Sequence, residues 1–165
     1  MEPIHFTSLY ERYAPDVLRF ARYLTGNPDW ADEILSETFL RAWTTRESLR
    51  MASAKGYLIA IARNLVTDRF RKEKFESPLD FDTHSRDHNP NARLMLDQTM
   101  IAIQQLEEKY RVPLVMYAIA ELPYDEIARS LDLPVSTVKV RVHRARLQLQ
   151  LILNPNQEPT HEATR

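Results

Sequence analysis

Residues 139–146, KVRVHRAR, carry four permanent cations and a histidine in eight positions. Ammonium and guanidinium groups at this density suit an anionic partner. They donate to phosphate oxygens, and arginine in particular matches the paired acceptors on a guanine edge. What they can do depends on the element that carries them. Val138, Val140 and Val142 alternate with Lys139 and Arg141, as in an amphipathic strand. At helical spacing, Val138, Val142, Ala145 and Leu149 share one face instead. Ser136, Lys139, Val140, His143 and Arg144 then occupy the far side, with Thr137, Arg141 and Arg146 at its margins. A strand leaves Ala145 and the arginine-rich end unexplained, so a helix is predicted.

The preceding residues, ELPYDEIARSLDL, supply a partner for that helix. Pro123 suits a first helical turn, Asp125 and Glu126 favour its positive dipole end, and Ile127, Ala128 and Leu131 pack inward. A break at Asp132-Leu133-Pro134 follows, after which Ser136 or Thr137 can cap the basic helix. A basic helix face alone is often only a solvated surface. Helix, tight turn and basic helix together form a helix-turn-helix, whose second member can lie in the DNA major groove. Val140 is the apolar exception on that exposed face. It is either a tolerated surface valine or a contact for a thymine methyl.

The rest of the chain must position this unit. With 44% hydrophobic residues among 165, it can build one core or two modest ones. Two glycines argue against short-turned all-β architectures. The absence of cysteine excludes disulfides and thiolate metal sites and suits a reducing compartment. The amino terminus does not read as a signal peptide, and no apolar run has membrane-spanning length. A cytoplasmic protein without membrane insertion is expected. Net charge is −1, but residues 29–37 are acidic while 63–74 and 139–146 are basic. Such separation lets one chain meet a protein and a polyanion at once.

Along the chain, Leu9, Tyr13, Val17, Phe20 and Leu24 form one stripe, with Pro15 as a kink or break. Gly26-Asn27-Pro28 marks a turn, and Asp29 is the expected cap of a helix to about Trp43, with Ile34, Leu35, Thr38 and Trp43 on its apolar side. After a polar connection near 44–53, a third helix is expected over roughly 54–74. Leu58, Ile61 and Leu65 face inward there, and Arg63, Thr67, Arg71 and Lys74 fall on the opposite stripe. Residues 76–91 lack a period and read as a flexible linker. Helical periodicity resumes at about Ala92, through Met95, Ile103, Leu106 and Tyr110, and again behind Pro113. The predicted organisation is all-α: a helical domain over 6–75, a linker over 76–91, a helix-turn-helix domain over 92–153 and a disordered tail over 154–165. His84 and His88, four apart in the linker near Asp82 and Asp87, do not make a credible metal site. No metal and no cofactor is expected.

Three motifs in order, DEILSETFLRAW (32–43), GYLIAIARNLVTDRFRKEK (56–74) and LPYDEIARSLDLPVSTVKVRVHRARLQL (122–149), resemble those of extracytoplasmic-function sigma factors, small two-domain members of the sigma-70 family. The resemblance implies that the first domain is sigma region 2 and the second sigma region 4. It implies that Asp32, Glu33, Glu37, Thr38 and Arg41 dock on the β′ clamp helices of core RNA polymerase, with region 4 meeting the β flap. Asn64 falls beside the family's pocket for a base flipped from the nontemplate strand, to which residues 44–55 contribute. Arg63, Arg71 and Lys74 fall where the minus-ten DNA backbone is held. Ser136, Thr137, Lys139, Val140, Arg141, His143, Arg144 and Arg146 fall on the minus-thirty-five reader. Ser36 stands where the family commonly has glutamine, Ser136 where glycine is common, and Val140 where serine is frequent.

The resemblance further implies a non-catalytic specificity subunit, monomeric when free, that binds promoter DNA with core polymerase and is controlled by an anti-sigma factor. Two rivals are a stand-alone helix-turn-helix regulator and a sigma mimic that sequesters an anti-sigma factor. The first leaves the DEILSETF and IARN motifs idle. The second has no use for Lys139, Arg141, Arg144 and Arg146.

Overall fold

The computed structural model describes residues 5–76 and 97–156. The described residues form α1 (Phe6–Thr25), α2 (Pro28–Thr44), a 3-10 turn (Arg46–Ser48), α3 (Met51–Glu76), α4 (Gln98–Gln104), α5 (Glu108–Ala118), α6 (Tyr124–Leu131) and α7 (Val135–Leu153). No strand occurs among them. Almost all of the expected linker, most of the expected tail, Met95 and the His84/His88 pair lie outside the described residues.

The stripe read from α1 is its core face: Leu9, Tyr13, Val17, Phe20 and Leu24 are all buried. Each large side chain so buried contributes about 1.5–3 kcal/mol relative to exposure. Pro15 does not break α1, which runs through it with the ring on an exposed side. Gly26 ends the helix in the left-handed conformation, at φ 62°, and donates its N–H to the Arg22 carbonyl. Asn27, not Asp29, caps α2: its side-chain oxygen accepts from the Asp29 and Trp30 amides, and Pro28 sits at the first helical position.

In α2 the buried side is Ala31, Ile34, Thr38, Phe39 and Ala42, with Leu35 half-buried. Trp43 is not a core residue. It is exposed, edge-on to Phe6 with ring centres 4.9 Å apart, and the Arg46 guanidinium lies 4.0 Å from its ring centre. The inward side of α3 is also rotated from expectation. Ala54, Leu58, Ile59, Ala62 and Val66 are buried, while Ile61 and Leu65 are only half-buried.

α1 has a second set of neighbours. α1 packs against α2 and α3, and also against α4 and α5, so the core continues from one helical unit into the other. Gln104 donates its side-chain N–H to the Tyr23 carbonyl at 2.7 Å, and the Tyr23 hydroxyl donates to the Asp97 carboxylate at 3.2 Å. Gly26 lies so close to Gln104 that a Cβ there would stand 2.6 Å from its Cγ. On α3, Gly56, Arg63 and Phe70 recur every seven residues and face the other unit. A Cβ on Gly56 would come within 3.1 Å of the Glu126 carboxylate, Arg63 donates to the Ser130 carbonyl at 3.2 Å, and the Arg111 guanidinium lies 5.6 Å from the Phe70 ring centre.

Candidate nucleic-acid and polymerase interfaces

The helix-turn-helix is α6 and α7. Pro123 is the N-cap of α6 rather than part of its first turn. At the other end Asp132 adopts the left-handed conformation, φ 53° and ψ 50°, and the Leu133 amide donates to the Ala128 carbonyl at 3.0 Å. This reversal turns the chain into α7 within three residues. Pro134 caps α7 by its backbone, and its carbonyl accepts from the Thr137 and Val138 amides. Neither Ser136 nor Thr137 serves as the cap. Both lie inside the helix, and neither hydroxyl makes a hydrogen bond among the described residues.

Val138, Val142 and Ala145 are buried in the same core as Ile127 and Met116, with Leu149 half-buried at the end of the same face. This anchor turns Ser136, Lys139, Val140, His143, Arg144 and Arg146 outward, with Thr137 and Arg141 partly covered. The helix reading of 133–150 therefore holds. The eight candidate residues do not form one uniform surface, however. Ser136, Thr137, Val140, Arg141 and Arg144 line a groove of about 370 Å³ together with Lys109 and Tyr110 from α5. Lys139 and Arg146 lie around the shoulder, near the stacked rings of Tyr124 and Tyr117 respectively, at 5.9 and 5.1 Å from the ring centres. Burial, and then the neighbouring Tyr117 hydroxyl, push the Tyr124 phenol above its ordinary pKa.

The candidate minus-ten residues divide in a similar way. Asn64 and Arg71, seven apart, share an exposed side of α3, and Lys74 is exposed one turn further on. Arg63 does not join them. It is half-buried against α6, with its Nε lacking a hydrogen-bond partner among the described residues. Burial draws its guanidinium below the usual pKa, an effect opposed by the Glu108 carboxylate.

On α2, Asp32, Glu33 and Glu37 line a shallow depression with Ser36 and Leu40. Leu40 is 61% exposed, an apolar centre in an acidic surface that the motif reading passed over. Its signal was its place one residue past Phe39, on the side opposite the buried stripe. Arg41 pairs with Glu37 at 3.1 Å, one helical turn away. Glu33 is engaged by Arg69 of α3, whose guanidinium also lies 4.6 Å from the Trp30 ring centre. Thr38 is the exception in this set. It is fully buried, and its hydroxyl donates to the Ile34 carbonyl at 2.6 Å. It therefore supports the helix from within and does not belong to the accessible surface.

Besides Leu40, sequence reasoning missed Lys109, Tyr110 and Arg69 at these surfaces. They lie far in sequence from the residues they accompany, and only the packing of helices brings them together.

Comparison with known proteins places the chain in a family. Residues 9–76 match the model of sigma-70 region 2, and residues 97–149 match that of sigma-70 region 4. The chain is 30% identical over 162 residues to the ECF RNA polymerase sigma factor SigW of Bacillus subtilis, covering 88% of this chain and 87% of that protein. It is also 30% identical over 165 residues to SigE of Mycolicibacterium smegmatis, covering 94% of this chain but 64% of the longer relative. Among solved structures, the sigma factor RpoE of Bartonella quintana, in complex with the anti-sigma factor NepR, superposes with a TM-score of 0.75 at 25% identity, covering 92% of this chain and 98% of that one. With both region models matched along the chain and a relative 30% identical over most of its length, the chain belongs to the ECF sigma factors of the sigma-70 family.

Proposed function

We propose that the protein is a promoter-specificity subunit that joins core RNA polymerase and directs initiation at promoters with minus-thirty-five and minus-ten elements. The observation that carries this reading is the outward face of α7, whose cations and hydroxyls are presented by a buried Val138-Val142-Ala145 seam. Phosphate contacts from Arg141, Arg144, Lys139 and Arg146 would set the register of α7 in the major groove, and those aimed inward would meet base edges. The depression on α2 around Asp32, Glu37 and Leu40 has the acidic and apolar character that suits the basic clamp helices of the β′ subunit. Asn64, Arg71 and Lys74 would meet the minus-ten DNA, where an amide can both donate and accept at an unpaired base. Chemistry stays with the polymerase, and the β flap would receive region 4.

The protein would be monomeric and cytoplasmic when free. Among the described residues, no helix is long and apolar enough to cross a membrane. The RpoE structure contains an anti-sigma factor. By analogy this chain would be held inactive by such a partner and released by a signal.

Run-off transcription with purified core polymerase over a genomic promoter library tests the reading. Initiation from a defined promoter set is expected, and Arg144→Ala should weaken promoter use far more than core binding. A folded protein that initiates nowhere, or that binds a duplex specifically as a dimer without polymerase, would overturn it.

A further inference from the structure

The groove beside α7 has one wall that no promoter-reading motif supplies. Lys109 and Tyr110, at the start of α5, line it opposite Ser136, Thr137, Arg141 and Arg144. The two walls lie far apart in sequence, and together they present two guanidinium groups, an ammonium and the three hydroxyls of Ser136, Thr137 and Tyr110. The Lys109 ammonium is held in place from two sides. It lies 5.0 Å from the Tyr110 ring centre and 3.5 Å from the Glu107 carboxylate. Both members of that ion pair are more than half exposed, so the pair contributes little to stability and exchanges readily for another anion.

We propose that Lys109 is a further DNA-binding residue, which grips a phosphate of the minus-thirty-five duplex across the groove from Arg141 and Arg144. Tyr110 acts as its positioning residue, and the proposal rests on the reading of α7 as the minus-thirty-five reader. Groove chemistry favours a phosphodiester over other partners. Cations and hydroxyls on two walls match the oxygens of one backbone, and the carboxylate that pairs with the ammonium among the described residues is Glu107, which phosphate would displace. Gripping the backbone from two helices fixes the depth and register of α7 more tightly than α7 can alone. Lys109 carries no sequence information itself.

The test uses full-length protein assembled with core polymerase, with binding to a promoter duplex followed by fluorescence anisotropy across a salt series. Loss of one phosphate contact lowers the magnitude of the log-affinity against log-salt slope by about 0.9. Lys109→Gln is expected to show that decrease, with several-fold weaker binding at low salt, unchanged affinity for core polymerase and the same ranking of minus-thirty-five base substitutions. Glu107→Gln should move affinity the opposite way, because it removes a charge that holds the ammonium and repels phosphate. Tyr110→Ala removes the ring beside the ammonium and should lower the slope part of the way toward that of Lys109→Gln, and Tyr110→Phe, which restores the ring, should rescue it. An unchanged slope in Lys109→Gln overturns the proposal. So does a loss of core binding without DNA, which would assign Lys109 to a protein partner. Arg144→Ala separates the two levels of the argument. If it too leaves slope and affinity intact, the minus-thirty-five reading itself fails; if it weakens binding while Lys109→Gln does not, only the clamp fails.

Discussion

Thr38 is a hydroxyl inside an apolar core, and Val140 is an isopropyl group on a polar face. Motif matching places both at partner surfaces, but only Val140 is exposed. Val140 is 46% exposed in the groove that Arg144 lines, so it is accessible to a base methyl. Thr38 is 0% exposed, and its one hydrogen bond closes within α2. A motif records which positions matter, without distinguishing a residue that touches the partner from one that shapes the helix beneath it. The helical wheel contained the distinction, since Thr38 falls with Ile34 and Ala42 on the buried stripe. Thr38→Val keeps the volume and removes a hydroxyl whose bond is worth about 1 kcal/mol. Stability in urea should therefore change by no more than about 1 kcal/mol, and affinity for core polymerase should stay at the wild-type value. A large loss of core affinity in a normally stable variant would restore Thr38 to the contact surface.

At the scale of elements, the helices were legible from apolar periodicity, because burial of one face decides their existence. Their ends were less legible. Asp29, Ser136 and Thr137 have capping side chains, but Asn27 and Pro134 hold the cap positions. A proline that can open a helix competes with a side-chain cap, and the backbone turn before it decides which one the chain uses. Pro15 and Pro113 show the same limit from the other side, since α1 and α5 each continue through a proline. The turn between α6 and α7 depends on a conformation that composition does not announce: Asp132 at positive φ. Aspartate tolerates the left-handed region better than most residues, and a β-branched side chain does not. Asp132→Val should destabilise the protein by about 1–2 kcal/mol and reduce minus-thirty-five binding with it. Asp132→Gly should preserve both. Equal melting temperatures for the valine and wild-type proteins would show that the turn accepts another geometry.

At the scale of the molecule, the order of two helical units was legible and their packing on each other was not. Beside the shared apolar core, they are joined by polar residues that a sequence reading assigns to solvent: Tyr23 with Asp97, Gln104 with the Tyr23 carbonyl, and Arg63 with the Ser130 carbonyl, 67 positions away. The heptad of Gly56, Arg63 and Phe70 was present on α3 but pointed to no partner until α6 and α5 were seen against it. The arrangement has a mechanical consequence. With its Nη2 on the Ser130 carbonyl, Arg63 is half-buried and turned away from the exposed side that carries Asn64 and Arg71. If Arg63 serves in promoter opening, α3 and α6 must separate once polymerase is bound. The chain has no cysteine, so Ser53→Cys on α3 and Arg129→Cys on α6, both exposed positions, give a unique pair for spin labels. Their separation, measured by double electron–electron resonance, should be short and narrowly distributed in the free protein and should lengthen in the transcribing complex. Arg63→Ala should broaden the free distribution toward the longer distance. A complex that transcribes with the labels still at their free separation would show that Arg63 belongs to the packing between units and has no part in holding DNA.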